Sequence, residues 1–253
     1  MSMSMLDQVA EPAVAADEYW LSAQRPLSCL VFLLPLVAVY EFGVLYLGRS
    51  HADTLRNGAD YWMRSWLALA GIPGGVVLPF CLLGLLLMWH VASRHPWRLE
   101  GRTMIGMLAE SVLFACSLVA LARLHEILFH GLVAAPLFVA NEQMAVRAVS
   151  FVGAGVYEEL LFRLCLVPVL YGAARLFQLS RRSAAVTSVL LTSLIFALAH
   201  YVGPGADVFA LYSFSFRALA GAFFAALFLV RGFGITVGTH AAYDLMVGVL
   251  LVS

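Results

Sequence analysis

The chain of 253 residues is 62% hydrophobic and 12% charged, has no net formal charge, and has a mean hydropathy of +0.91. Soluble domains are about 25% charged and about 45–50% apolar, and a compact sphere of this mass could not hide so much extra apolar surface from water. Composition therefore excludes a soluble globule and a disordered chain, and the lack of any basic block excludes nucleic acid as a partner; a lipid bilayer is the solvent that fits.

Residues 1–26 form a polar tail, with Asp7, Glu11, Asp17 and Glu18 against Arg25. A secretory signal needs a basic start, a short apolar core and a small-residue cleavage site; the tail has none of these, so the first span is expected to be retained. Apolar stretches then follow at 27–47, 76–92, 104–122, 145–170, 184–202, 208–230 and 232–252. Each approaches the roughly 20 residues a helix needs to cross the hydrocarbon layer. Helices satisfy their own backbone where no water can, and the alternating ten-residue segments of an outer-membrane barrel are missing. The expected fold is all-α: a polytopic transmembrane helical bundle of about seven spans. An eighth arises only if 127–140, short and broken by Gly131 and Pro136, also crosses.

Arginine clusters orient the bundle. Arg94, Arg98 and Arg102 share one loop, and Arg175, Arg181 and Arg182 another. The positive-inside rule places both in the cytoplasm with the N-terminus if 127–140 is interfacial or re-entrant. Arg49, Arg56, Arg64, Arg123 and Arg147 then lie outside, giving eight against five. The expected location is the cytoplasmic (inner) membrane of a bacterium. Loop 48–65 reads as an exposed excursion. Cys29, Cys81, Cys116 and Cys165 sit in apolar stretches without metal or redox spacing and read as small packing residues. The chain divides into the tail 1–26, N-terminal helices 27–144 and a C-terminal helical core 145–252.

Charge inside a span is costly, about 2.5–3.5 kcal/mol per residue at mid-bilayer, so the exceptions are informative. The richest group is Glu158, Glu159 and Arg163 in GVYEELLFRLCL. Glu159 and Arg163 stand at i,i+4 and can pair along one face, while Glu158 points about 100° away, free to face a cavity. Phe196 and His200 lie one turn apart in FALAH, and His240 and Asp244 one turn apart in THAAYD. Three helices thus supply a carboxylate pair, a histidine and a His–Asp pair.

EExxxR, FxxxH and HxxxD, in that order on membrane helices, closely resemble the motifs of the CPBP intramembrane proteases, also called the abortive-infection or CAAX-protease family. The resemblance covers about 145–252; the earlier helices carry no recognised motif. Asp244 departs from it, since many relatives have Asn there. The resemblance implies an intramembrane endopeptidase that hydrolyses a peptide bond in a membrane-anchored or lipidated substrate. Glu158 would be the general base, His200 would help hold the attacking water, and His240 with Asp244 would stabilise the tetrahedral intermediate or protonate the leaving amine. Glu159 and Arg163 would position the base, and Phe196 would support the cavity. No cofactor is required by this scheme. Its alternative is zinc held by Glu158, His200 and His240 with water in the fourth position, although HExxH is absent and each ligand would come from a separate helix. A non-proteolytic immunity or scaffold protein is the reading from another class.

Smaller expectations complete the analysis. Pro168 should kink its helix by leaving the Leu164 carbonyl unpaired. Glu110 and Arg217 could pair across helices, and Glu41 could reach the interface. His90, His95, His125 and His130 read as interfacial, and Trp62, Trp66, Trp89 and Trp97 suit an aromatic belt.

Overall fold

A computed structural model describes residues 18–48, 55–130, 144–203 and 206–250. Among these, every regular element is helical. After a helical turn at 18–23 comes α1 (Pro26–Leu47), opened by Pro26, where a missing N–H breaks no helical bond. Helix α2 (Gly58–Leu69) is short and capped by Asn57, whose side chain accepts from the Asp60 N–H at 2.8 Å. Then follow α3 (Gly74–Ala92), α4 (Gly101–His130) and α5 (Met144–Glu159). Helix α5 runs without a break through a π segment (Leu160–Leu166) into α6 (Val167–Leu176). The last three helices are α7 (Arg181–Ala199), α8 (Leu211–Arg231) and α9 (Phe233–Leu245), which ends in a second π segment, Met246–Leu250.

Four helices are long and apolar enough to cross a membrane: Pro26–Leu47, Gly101–Phe129, Arg181–Ala199 and Leu211–Arg231. The other expected spans are helical but different in form. Val77–Ala92 is shorter, and 145–170 and 232–252 are interrupted by the π segments. Helix α4 continues well past 122 to His130, so the start of the ambiguous 127–140 segment belongs to it; residues 131–140 lie outside the described residues.

Helix α9 is the central post, in contact with α1, α4, α5 and α8. Its residues from Phe233 to Ala241 are buried without interruption, as expected of a helix surrounded by others. Gly232, at φ 83°, breaks the chain between α8 and α9 in a left-handed conformation that glycine adopts without strain. The largest buried cluster joins Leu33, Val37 and Tyr40 of α1, Leu82 and Leu86 of α3, and Val156 and Tyr157 of α5. Side chains that face outward remain apolar, among them Phe42, Phe80, Leu113 and Leu128. Water would penalise such a surface and lipid does not.

Several expectations are corrected. The part of loop 48–65 that is described is not an exposed excursion: it turns into α2, and Leu55, Ala59, Asp60 and Met63 are buried. Glu41 does not reach out to an interface but is held by Arg64 and Tyr157. Glu110 pairs with Arg231 through two bonds of 2.7 and 2.9 Å, while Arg217 pairs with Asp207. The side chains of His90 and His125 are buried within the bundle. At Pro168 the missing donor is absorbed by the π segment just before it, where the Val167 N–H reaches back to the Phe162 carbonyl.

Candidate active site

The site begins with a close approach of two backbones. Gly155 of α5 lies against Ala241 of α9, so near that a Cβ there would sit 2.7 Å from the Ala241 nitrogen. One turn further along α5 is Glu159, and one residue before Ala241 is His240. The absent side chain at 155 is what lets them meet: His240 Nδ1 donates to Glu159 Oε1 at 2.6 Å, with Glu159 fully buried. The other carboxylate oxygen, Oε2, is 3.1 Å from Arg163 Nε. A carboxylate only accepts, so Nδ1 carries the proton and the imidazole orientation is fixed.

The other ring nitrogen, His240 Nε2, faces Asp244 at 3.4 Å and Glu158 at 3.9 Å. Glu158 points away from Glu159 and is partly exposed. It lines a cavity of about 130 Å³ with His200, Ala199, Val202 and Asp207, and with Gly58, Ala59, Tyr61 and Trp62 of α2. That volume holds several waters. His200 Nδ1 is 2.8 Å from the Phe196 carbonyl. A carbonyl can only accept, so Nδ1 is the protonated nitrogen, and the neutral ring keeps a lone pair on Nε2.

Beside this polar cavity runs an apolar groove of about 640 Å³. Trp62, Ala199 and Val202 border both spaces, and Leu161, Phe162, Cys165, Leu166, Val169 and Leu198 line the groove.

Arg163 lies in the π segment and is 1% exposed. Its guanidinium stands 4.5 Å from the centre of the Phe196 ring and 5.5 Å from that of Phe224, close enough for cation–π attraction. Its Nη2 donates to the Gly221 carbonyl at 3.2 Å. Phe196 also meets His200 edge-on at 4.9 Å. The structure thus gathers Glu158, Glu159, Arg163, Phe196, His200, His240 and Asp244 from α5, the π segment, α7 and α9.

Sequence reasoning missed Phe224, which stacks on His240 at 4.4 Å and 14°, and Gly155 and Gly221, which allow the close approaches. Aromatic and small residues are common in any membrane helix, so no sequence signal separated these. It also missed α2 as a wall of the cavity, since nothing in 55–69 resembles a catalytic motif.

The zinc alternative requires its donors to converge. Among the described residues, no group of three or more His, Cys, Asp and Glu side chains is arranged to hold a metal ion.

Residues 140–246 match the family model described as type II CAAX prenyl endopeptidase Rce1-like. No match to a curated protein or to a solved structure was found for the chain. The matched segment holds all seven gathered residues, and the apolar helices supply the membrane setting. Residues 140–246 are thus similar to the Rce1-like type II CAAX prenyl endopeptidases, and the long apolar helices fit an integral membrane protein.

Proposed function

We propose that the protein hydrolyses a peptide bond in a membrane-anchored or lipidated substrate, without a metal, using Glu158 as general base. The observation that carries this reading is the sharing of one cavity, roomy enough for water, by Glu158 and His200, with His240 Nε2 3.9 Å from Glu158. A water in that cavity gives one proton toward Glu158 and the other toward the lone pair of His200 Nε2. Its oxygen attacks the scissile carbonyl carbon, the proton passes to Glu158, and the carbonyl π electrons move onto oxygen. His240 sits between carboxylates at both nitrogens, an arrangement suited to a ring carrying both protons, and its Nε2–H stabilises the oxyanion. When the intermediate collapses, the C–N bond breaks and Glu158 returns its proton to the leaving amine.

Glu159 and Arg163 are positioning residues: Glu159 orients His240, and Arg163 holds Glu159. Asp244 faces the Nε2 edge of His240 and favours its charged form. The apolar groove bordering the cavity suits the hydrocarbon part of an anchored substrate, with the peptide crossing beneath Trp62 to reach Glu158.

The test is cleavage of lipidated and helix-anchored peptides by the protein reconstituted in vesicles. General-base catalysis contributes about 10²–10⁴-fold, so Glu158→Gln should lose at least about a hundredfold, and His200→Ala and His240→Ala should also be strongly impaired. Normal cleavage by all three variants would remove the assignment.

A further inference from the structure

Glu41, Arg56, Asp60 and Arg64 have no part in the scheme above, yet they form a closely bonded cluster. Asp60, fully buried, accepts from Tyr40 at 2.9 Å, from Arg56 at 2.9 Å and from Arg64 at 2.6 Å. Glu41 on α1 accepts from Arg64 at 2.7 Å and from the Tyr157 hydroxyl at 2.5 Å. The cluster is neutral, two carboxylates against two guanidiniums, and it ties three elements together: α1 through Glu41, α2 through Asp60 and Arg64, and α5 through Tyr157.

Two features make this more than an anchor. Tyr157 is the residue directly before Glu158. Residues next to Asp60 and Arg64 on α2, namely Ala59, Tyr61 and Trp62, line the cavity that Glu158 and His200 share. Helix α2 has twelve residues, of which Ala59, Asp60 and Met63 are buried. With so few buried side chains its apolar contact alone would leave its register loosely set. Buried ion pairs add little net stability compared with apolar packing, and in several proteins their role is to fix register.

We infer that Glu41, Asp60, Arg56, Arg64 and Tyr157 form a clamp that sets α2 as the wall of the hydrolytic cavity, making them positioning residues for Glu158 and its water. The inference rests on the proposed hydrolysis for its consequence in rate. It rests on geometry alone for the position of α2.

Two readouts separate these. The first is cavity access. Ala59 lines the cavity and is 3% exposed, so Ala59→Cys places a thiol in a wall that is closed while α2 is seated. In full-length protein with Cys81, Cys116 and Cys165 changed to Ala, and buried Cys29 retained, labelling of that thiol by a small maleimide reports on α2. Tyr157→Phe keeps the ring, which lies 5.3 Å from that of Tyr40, and removes only the hydroxyl. Labelling should accelerate about tenfold in Tyr157→Phe and in Glu41→Gln. The second readout is hydrolysis by the same substitutions in the natural cysteine background. There kcat per folded molecule should fall about tenfold with KM within about twofold, as for loss of positioning and not of substrate binding. The double variant should fall short of the product of the two single effects, because the Tyr157–Glu41 bond is lost or weakened in both. Unchanged labelling overturns the clamp. Faster labelling with unchanged kcat overturns the positioning role. A wild-type protein that hydrolyses no substrate defeats the proposed function instead, and leaves the labelling result to decide the clamp.

Discussion

The contact between Gly155 and Ala241 offers a direct test of the site, because one methyl group should separate its two halves. An alanine Cβ at 155 would lie 2.7 Å from the Ala241 nitrogen, 2.8 Å from its Cβ and 2.9 Å from its Cα. Ordinary contact begins at 3.4 Å, so α9 must retreat from α5 by about 0.7 Å. Two of the three obstructing atoms are backbone, so no side-chain rotation relieves the clash. Glu159 lies one turn from the new methyl and His240 beside Ala241, so the retreat is felt almost fully at their bond. Stretched by the same amount, 2.6 Å becomes about 3.3 Å, too long for the short charge-assisted bond now present. The imidazole loses its fixed orientation, and its Nε2 moves relative to Glu158.

Two measurable effects follow from Gly155→Ala. Overpacking of this kind costs about 1–3 kcal/mol, to be read as a shift in the midpoint of denaturant or thermal unfolding in detergent. A displacement approaching 1 Å in a catalytic constellation can cost about a hundredfold in rate, so kcat in vesicles should drop between about tenfold and a hundredfold. Gly172→Ala is the control, since a Cβ there meets nothing within 4 Å; it should be neutral, or stabilising by up to about 1 kcal/mol as expected for a helical glycine. If Gly155→Ala hydrolyses at the wild-type rate while shifting stability by the expected amount, the Glu159–His240 bond is not what orients the histidine.

Further outcomes are expected elsewhere. Nitrogen NMR of the protein should show His200 protonated at Nδ1 in its neutral form; protonation at Nε2 would contradict the bond to Phe196 and the water-holding role. Arg163→Met should destabilise by about 3–5 kcal/mol, because it removes one of the two partners of the buried Glu159 carboxylate and leaves His240 alone to hold it. Arg163→Lys should recover only part of the loss, lacking the planar fork that spans Glu159 and the Gly221 carbonyl. Exhaustive chelation should leave hydrolysis intact, with no stoichiometric metal by elemental analysis; activity lost on chelation and restored by zinc would replace the metal-free scheme. Glu110→Gln should loosen the turn at 18–23, because Glu110 holds Arg231 and Trp20 stacks on that guanidinium at 3.7 Å. Hydrogen exchange over 18–24 should then accelerate, and unchanged protection would show that the turn is held by other contacts.

The sequence displayed what depends on residue type and spacing. The helical class followed from length and hydropathy, and the motif residues stood out because charge in a span is expensive. Partner choice was less visible. Glu110 and Arg217 both lie in apolar stretches and suggest a pair, yet Arg231 takes Glu110, one residue before the φ 83° break at Gly232 that turns α8 into α9. By sequence Arg56 and Arg64 are loop charges that mark a membrane side, whereas in the fold both pair with Asp60 and Glu41. An arginine marks topology only when it is free to meet water, and that freedom is a tertiary property.

The same limit explains why α2 was overlooked and why it matters. Its sequence, GADYWMRSWLAL, is too short and too polar to register as a span and carries no motif. What gives it a place in the site is a set of partners contributed by α1 and α5, more than twenty and nearly a hundred residues away in sequence. Loss of those partners would leave every motif residue in place and still open one side of the cavity to bulk water. Preorganised charge stabilises a transition state most where water is excluded. On the proposed mechanism the motif helices supply the reacting groups, while the wall beside them depends on a segment that spacing alone cannot identify.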